Sequence, residues 1–338
     1  MSLQESQLES LDSSRMESDE ASGTTIAGLS PTKLATNRFR KDKLSMVSFV
    51  IVALYLLAAV AAPFLVKFGV LDPFSFNNRH GELNDALGGI PNGRLGGVSW
   101  HHPLGLEPST GRDVLSRLWY GVTFSLTIAL SATVIAVVIG TVLGIVSGFS
   151  GGMVDSVIGR VIDLTLSFPQ TLMLLALSGL MVAVLTDTFH VPKGDVANGT
   201  YVALVLALFG WPSIARLIRG QVLSIREREF IDAARLLGAS RRRLYFKEIL
   251  PNLWAPLLVS FTLTMPAYIS AEAALSYLSV GIKPPTPTLG NILTGSISYA
   301  SADFFFFFTP AFLIAVIVVS FNLLGDGIRD ALDPKSDR

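Results

Sequence analysis

Few side chains in this sequence have the type and spacing that catalysis or metal binding requires. The chain has no cysteine, which excludes disulfides, thiolate metal sites and cysteine nucleophiles. It has no G-x-x-x-x-G-K-[ST] phosphate loop, so we do not expect it to hydrolyse a nucleotide itself. His101 and His102 are adjacent, but no carboxylate pattern completes a metal site around them. We therefore assign no catalytic residue and expect no metal or cofactor on this chain.

One segment carries a distinctive pattern. Residues 232–252, "DAARLLGASRRRLYFKEILPN", are highly charged yet lie between two apolar stretches. Phe230, Ala233 with Ala234, and Leu237 recur at i, i+3/i+4 and i+7, which predicts a helix with one apolar stripe. A short loop offers this stripe no core of its own. The pattern therefore indicates an element that enters a groove in another protein.

The same segment predicts a sharp bend. Gly238 fits the position after a helix where a left-handed residue ends it, and Ser240 is placed to cap a second helix. Pro251 is the expected break before the next apolar stretch. We predict two short, rigid helices, the second with an apolar stripe made of Leu244, Tyr245, the stem of Glu248, and Ile249.

Arginines beside aromatic residues also suggest nucleic-acid binding, the alternative interpretation of residues 241–246. The segment is tethered at both ends to apolar stretches, and residues 226–248 hold seven basic but also four acidic side chains. That balance is ordinary for a cytoplasmic loop, so we expect no nucleic-acid partner.

The elements that position this segment are membrane spans. The 338 residues are 50% hydrophobic and 15% charged, with a mean hydropathy of +0.53, whereas soluble domains carry about 25% charged residues. Uncharged runs approach or exceed the ~20 residues that cross a bilayer. The predicted spans are 44–66, 122–147, 164–186, 199–215, 253–271 and 304–325.

Most of the 26 lysine and arginine residues fall on one side of these spans, which predicts that both termini are cytoplasmic. Residues 1–43 are predicted as a disordered tail, acidic and then basic. Residues 67–118 are predicted as an external loop that ends in a short interfacial helix at 114–119. The five other spans occupy 119–326 with the cytoplasmic loop 216–252, and a tail follows at 327–338.

Two features inside the spans have open interpretations. Gly140, Gly144 and Gly148 form overlapping G-x-x-x-G steps, which favour packing within the chain over a subunit interface. Glu272 is an ionisable residue at membrane depth, so it faces either a cavity or the headgroups. We take Glu272, Trp211 and Pro266 as candidate residues of a translocation path.

The bent segment resembles the EAA loop of ABC-importer permeases, E-A-A-x-x-x-G-x9-I-x-L-P. Asp232-Ala233-Ala234, Gly238, Leu250 and Pro251 fall at the family spacing. Two departures are visible: Asp232 replaces the glutamate, and the isoleucine is one place later, at Ile249. Over roughly 100–335 the chain resembles the C-type subunit of dipeptide/oligopeptide permeases. Further matching pieces are "HPLGLEPSTGRDVLSRLWYG", "GWPSIARLIRGQVLSIRE", "AEAALSYLSVGIKPPTPTLGNIL" and "FNLLGDGIRDALDP".

The resemblance implies an all-α protein of the type I ABC-importer permease fold in a bacterial inner membrane. It implies half of a pore, completed by a homologous permease, with two ATPase subunits that hold ATP and Mg²⁺ and an external solute-binding protein that delivers peptide. The bent loop would then be a coupling helix. The implied ATPase-coupling residues are Phe230, Asp232, Ala233, Ala234, Leu237, Gly238, Ser240, Arg241, Leu250 and Pro251.

Other functions remain open from the sequence. A permease of the same family could carry nickel, glutathione or an opine, because the coupling loop meets only the ATPase. A stand-alone secondary transporter would show inverted repeats and buried ion-coupling carboxylates, and neither is clear. A membrane-embedded enzyme is disfavoured, because the spans lack a Ser/His or metal constellation.

Overall fold

The computed structural model describes residues 31–332 except 77–81, 85, 87 and 94. The described chain is mostly helical. A two-residue strand β1 (Leu83–Asn84) pairs antiparallel with β2 (Ile90–Pro91) in the long loop between the first two spans. The helices are α1 (Pro31–Lys41), α2 (Lys43–Lys67), α3 (Val114–Ser150), α4 (Gly152–Ser167), α5 (Gln170–Thr188), α6 (Asp195–Ile225), α7 (Glu229–Leu236), α8 (Arg241–Tyr277), α9 (Leu289–Ile297) and α10 (Phe304–Leu332).

Within the described residues, six helices are long and apolar enough to cross a membrane: α2, α3, α5, α6, α8 and α10. They correspond one to one with the predicted spans, so the all-α, six-span prediction is confirmed. The third span was predicted to start at residue 164, which lies within α4. In the structure Pro169 separates α4 from α5, so the span begins at Gln170. Proline has no N–H to continue the helix, and the residue before it avoids the α conformation.

The pair α3 and α6 forms the centre of the molecule, and Gly140, Gly144 and Gly148 of α3 explain how closely the two helices approach. A Cβ on Gly140 would lie 2.7 Å from the Cβ of Ile214, and one on Gly144 would lie 2.8 Å from the carbonyl oxygen of Ala215. Gly148 meets Val222 in the same way, at 2.9 Å. Small residues let helix backbones pack tightly in a membrane. The prediction of packing within the chain is confirmed.

Two predicted boundaries are wrong. Residues 31–41 were expected in a disordered tail but form α1, which Asp42 separates from α2. The expected interfacial helix at 114–119 is instead the first turn and a half of the continuous span α3. Asp113 caps that span by accepting from the N–H of Ser116 at 2.7 Å, and this cap lets α3 begin well before its uncharged stretch. The rest of the predicted tails, 1–30 and 333–338, lies outside the described residues.

Arg117 links three segments at the N-terminal end of α3. Its guanidinium is buried and donates to the carbonyl oxygens of Pro73 at 3.2 Å and Pro285 at 3.1 Å. Glu107 lies 3.4 Å from Arg117 and 2.7 Å from Arg112. These bonds join the long external loop, the start of α3 and the α8–α9 connection.

Candidate coupling site

The bend between α7 and α8 has the predicted geometry. Gly238 adopts φ +76°, and its N–H donates to the carbonyl of Arg235 at 2.9 Å. The N–H of Ala239 donates to the carbonyl of Ala234 at 3.0 Å. These two bonds satisfy the carbonyls of Ala234 and Arg235 at the end of α7, where the helix itself offers no further donor. The predicted helix end at Gly238 is confirmed. We call residues 229–253, the two arms on either side of this glycine, the elbow.

The second arm is longer than expected. Ser240 caps it as predicted, because its Oγ accepts from the N–H of Arg243 at 3.3 Å. Pro251 interrupts the α-helical ladder before span five, as predicted, but it does not end the helical path of the chain. The chain stays helical through a π segment at Leu244–Ile249 and a 3₁₀ segment at Leu250–Leu253, and then continues as α-helix Trp254–Tyr277. Wider and tighter turns accommodate a proline that cannot donate to the preceding turn.

As predicted, the apolar stripe of the first arm does not enter a core of this chain, and a residue outside the stripe anchors the arm. Ile231 is fully buried in the core of this chain, whereas Phe230 and Ala233 are exposed and Ala234 is half-buried. A short helix needs an anchor, and the neighbouring isoleucine provides it. In the second arm the predicted stripe is confirmed: Leu244 and Ile249 are buried, and Tyr245 and Glu248 are half-buried.

The apex of the elbow presents an apolar tip with cations beside it. Leu236 is 90% exposed and Leu237 is 86% exposed, on either side of the end of α7. Arg241 and its two neighbouring arginines are exposed after the bend, and so is Pro251, whereas Leu250 is half-buried. Asp232, also exposed, pairs with Arg235 at 3.2 Å along α7. Among the described residues nothing covers these two leucines, which makes the apex a candidate contact surface.

The C-terminal end of α3 supports the elbow. Arg235 lies over the ring of Phe149, 5.0 Å from its centroid, and the ring of Tyr245 meets Phe149 edge-on at 5.2 Å. Arg226, just before the elbow, donates to the carbonyl oxygen of Gly148 at 2.9 Å. The sequence around Phe149 did not predict these contacts, because Arg235 and Tyr245 lie in distant segments of the chain.

An ion pair fixes α4 to α6 beside this support. Arg219 binds Asp155 through two hydrogen bonds of 2.6 Å, and Ser147 donates to the same carboxylate at 2.5 Å. The Arg219 guanidinium holds the pKa of the Asp155 carboxyl down to about 2, so this pair stays charged at neutral pH.

The three candidate path residues lie in the interior of the chain. Trp211 is buried against Ile162 and Ala215, and Pro266 is buried within α8. Each of them fills space between helices, and neither borders the cavity that Phe124 of α3 and Ala203 of α6 line. That they line a translocation path stays a prediction.

Glu272 is enclosed as well, with 2% of its surface exposed. Its carboxylate accepts from Ser125 of α3 at 2.8 Å and from Ser276 at 3.0 Å, and the Thr288 side chain is a further hydrogen-bond partner. Ser125 also accepts from the N–H of Leu289 at the start of α9, 3.1 Å away. Glu272 therefore faces neither a cavity nor the headgroups; it joins α3, α8 and α9.

Comparison with known proteins agrees with this architecture. The family model described as "Binding-protein-dependent transport system inner membrane component" matches residues 140–338. A second, "N-terminal TM domain of oligopeptide transport permease C", matches residues 30–84.

Curated relatives match over most of their length. The dipeptide transport system permease protein of Escherichia coli is 39% identical over 308 residues, 91% of this chain and 94% of that protein. The corresponding protein of Alkalihalophilus pseudofirmus is 33% identical over 307 residues, 91% of each chain. The oligopeptide transport system permease protein of Bacillus subtilis is 32% identical over 91% of this chain and 90% of that protein.

A solved structure shares the fold. The inward-facing MetNI methionine ABC transporter superposes with a TM-score of 0.51 at 20% identity, covering 65% of this chain and 96% of that chain. The six apolar helices, the glycine-ended elbow between the fourth and fifth of them, and these matches lead to one assignment. The chain belongs to the family of binding-protein-dependent transport system inner membrane components.

Proposed function

We propose that this chain is one of two pore-forming subunits of an ATP-driven importer of dipeptides or oligopeptides. The observation that carries the proposal is the elbow: a bend at a positive-φ glycine, anchored by Ile231 below and exposing Leu236 and Leu237 above. A rigid element that shows leucines to solvent needs a groove in a partner. The peptide cargo is supported by the names and the high coverage of the curated relatives.

The partners follow from the same proposal. A homologous permease completes the pore, two ATPase subunits bind ATP and Mg²⁺ and receive the elbow, and an external binding protein delivers the peptide. The exposed cations Arg241, Arg242 and Arg243 favour an acidic rim around the ATPase groove, because opposite charges guide the docking of two surfaces.

In this mechanism the chain performs no covalent chemistry. Closure of the ATPases around nucleotide displaces the elbow, and the spans shift between a state open to the cytoplasm and one open to the outside. Nucleotide acts by stabilising one of two pre-existing arrangements. The part of the elbow around the bend, residues 229–245, must move as a unit, and the bonded helix end at Gly238 and the cap at Ser240 support that requirement.

We further propose a bacterial inner-membrane location with both termini and the elbow in the cytoplasm. The orientation is supported by the excess of lysine and arginine on the elbow side of the spans.

Purification of the tagged chain from its native membrane in mild detergent tests the proposal. We expect a second permease and two ATPases to co-purify, and the complex in liposomes to take up peptide only with ATP inside and binding protein outside. A cargo panel of dipeptides, longer peptides, glutathione and nickel tests the alternative cargoes. Uptake by the isolated chain, driven by an ion gradient, would overturn the proposal in favour of a secondary transporter.

A further inference from the structure

Phe149, the next-to-last residue of α3, contacts both arms of the elbow. The first arm places the Arg235 guanidinium carbon 5.0 Å from the centre of its ring, and the second arm places the Tyr245 ring edge-on at 5.2 Å. A cation over an aromatic face and an edge-to-face ring pair are both favourable arrangements. One half-buried side chain therefore links two segments that the bend at Gly238 separates.

The residues on either side of Phe149 strengthen this link. Arg226, at the entry to the elbow, donates to the carbonyl oxygen of Gly148 at 2.9 Å. The hydroxyl of Tyr245 lies 3.4 Å from that of Ser150. Three consecutive residues at the end of α3 thus hold the entry, the first arm and the second arm of the elbow.

In the turns of α3 that precede Phe149, α3 packs closely against α6. Gly144 and Gly148 pack directly against Ala215, Ile218 and Val222, with no space for a Cβ. Close-packed interfaces of this kind resist deformation and transmit displacement. A push that arrives at the end of α3 therefore moves α3 and α6 together.

The covalent connection from the elbow into α8 has an irregular backbone. The ten residues that follow Arg243 form the π segment Leu244–Ile249 and the 3₁₀ segment Leu250–Leu253, so they have no continuous ladder of α-helical hydrogen bonds. Irregular turns within a helix often mark hinges, and Pro251 removes a further hydrogen bond there. This route bends more easily than the one through α3.

We infer that Phe149 is a positioning residue through which both arms of the elbow move α3 and α6 as one body, while residues 246–253, beyond Tyr245, act as the hinge of α8. The inference rests on the proposed function, since it requires ATPases that displace the elbow. It assigns the force-bearing contact to the end of α3 rather than to the span that follows the elbow in sequence.

Distance measurements between spin labels test this inference, because the chain has no cysteine to remove. One label replaces exposed Glu229 on the first arm, and the second replaces either exposed Val142 on α3 or exposed Leu263 on α8. In the assembled complex, trapping the ATPases with nucleotide should leave the 229–142 distance unchanged and shift the 229–263 distance. The opposite result, a constant 229–263 distance with a shifted 229–142 distance, would overturn the inference.

A variant pair tests the side chain itself. Phe149→Leu keeps apolar volume but removes the aromatic face, and we expect about a ten-fold rise in ATP hydrolysed per peptide transported. Phe149→Tyr should restore the ratio, and Phe168→Leu, at an exposed position at the end of α4, should leave it unchanged. If F149L complexes assemble and transport with the normal ratio, the inference fails; if no ATPase co-purifies with the unaltered chain, the proposed function fails first.

Discussion

At the scale of single residues, Gly238 is the position where backbone conformation alone sets the requirement. Its φ is +76°, and no atom lies within 4 Å of the place that a Cβ would occupy. A side chain at this position would therefore clash with no neighbouring residue. The free-energy cost of replacing the glycine comes only from holding another residue in the left-handed region. Valine suffers this cost most, because a branched Cβ is restricted further.

We predict that Gly238→Val uncouples transport, with a cost to the bend of about 1–2 kcal/mol. Gly238→Asn is the matched control, because asparagine tolerates positive φ and should retain most activity. Peptide uptake and peptide-stimulated ATPase activity of the assembled complex are the measurements. Unchanged uptake and stimulation in G238V would show that the elbow does not act as a rigid element.

Glu272 leads to a prediction opposite to the one its sequence position suggests. Because its carboxylate is enclosed by the hydroxyls of Ser125, Ser276 and Thr288, it should not select cargo by charge. We predict that Glu272→Gln transports cationic, neutral and anionic peptides in the same proportions as the unaltered chain. A selective change for one charge class would place this side chain on the transport path after all.

The same hydrogen-bond network contributes to stability. Glu272→Ala should lower the free energy of unfolding of the detergent-solubilised complex by about 1 kcal/mol, since three buried hydroxyls lose their acceptor. Glu272→Gln retains an acceptor and should lose less. Equal unfolding temperatures for E272A and E272Q would contradict this account of the network.

At the scale of elements, the α3–α6 contact depends on glycines at fixed positions. A Cβ at Gly144 would lie 2.8 Å from the Ala215 carbonyl oxygen, whereas one at Gly220 of α6 would meet nothing within 4 Å. We predict that Gly144→Ala destabilises the complex by about 1–3 kcal/mol through overpacking. Gly220→Ala should be neutral or stabilising, because alanine favours helix. Thermal unfolding of both variants, run side by side, measures the difference; equal stability would refute direct backbone contact.

The elbow illustrates how far local patterns reach at this scale. Its bend depends on one glycine and one serine, and both behave as the sequence predicts. The exposure of Leu237 agrees with the predicted stripe, whereas the burial of Ile231 depends on what lies underneath and was not predicted. Pro251 interrupts the α-helical ladder as predicted, but the chain passes it in a 3₁₀ turn and does not leave the helical path.

At the scale of the whole molecule, orientation in the membrane is the property to test. We predict that a single cysteine at Trp100, which is 99% exposed in the external loop, reacts with a membrane-impermeant maleimide in intact cells. A single cysteine at Ala233 in the elbow should react only after the membrane is opened. The absence of native cysteine makes both signals specific to the introduced residue. The reverse pattern of labelling would invert the topology and remove the elbow from the ATPases.

The sequence by itself determined the number of spans, the bend in the elbow and the packing role of the glycines. These features depend on run length, on the conformational freedom of one residue and on the absence of side chains, all of which are local properties. The resemblance in the elbow and the outer motifs was sufficient to indicate the family, because fixed spacing is also a property of the chain alone.

Only the tertiary structure decided which faces are buried and which distant side chains meet. Ser125 and Glu272 are 147 residues apart in sequence yet share a hydrogen bond, and Phe149 is held by two arms that approach it from far along the chain. Such contacts depend on the relative placement of whole helices, and a periodic pattern records that a helix has an apolar side without recording what that side will touch.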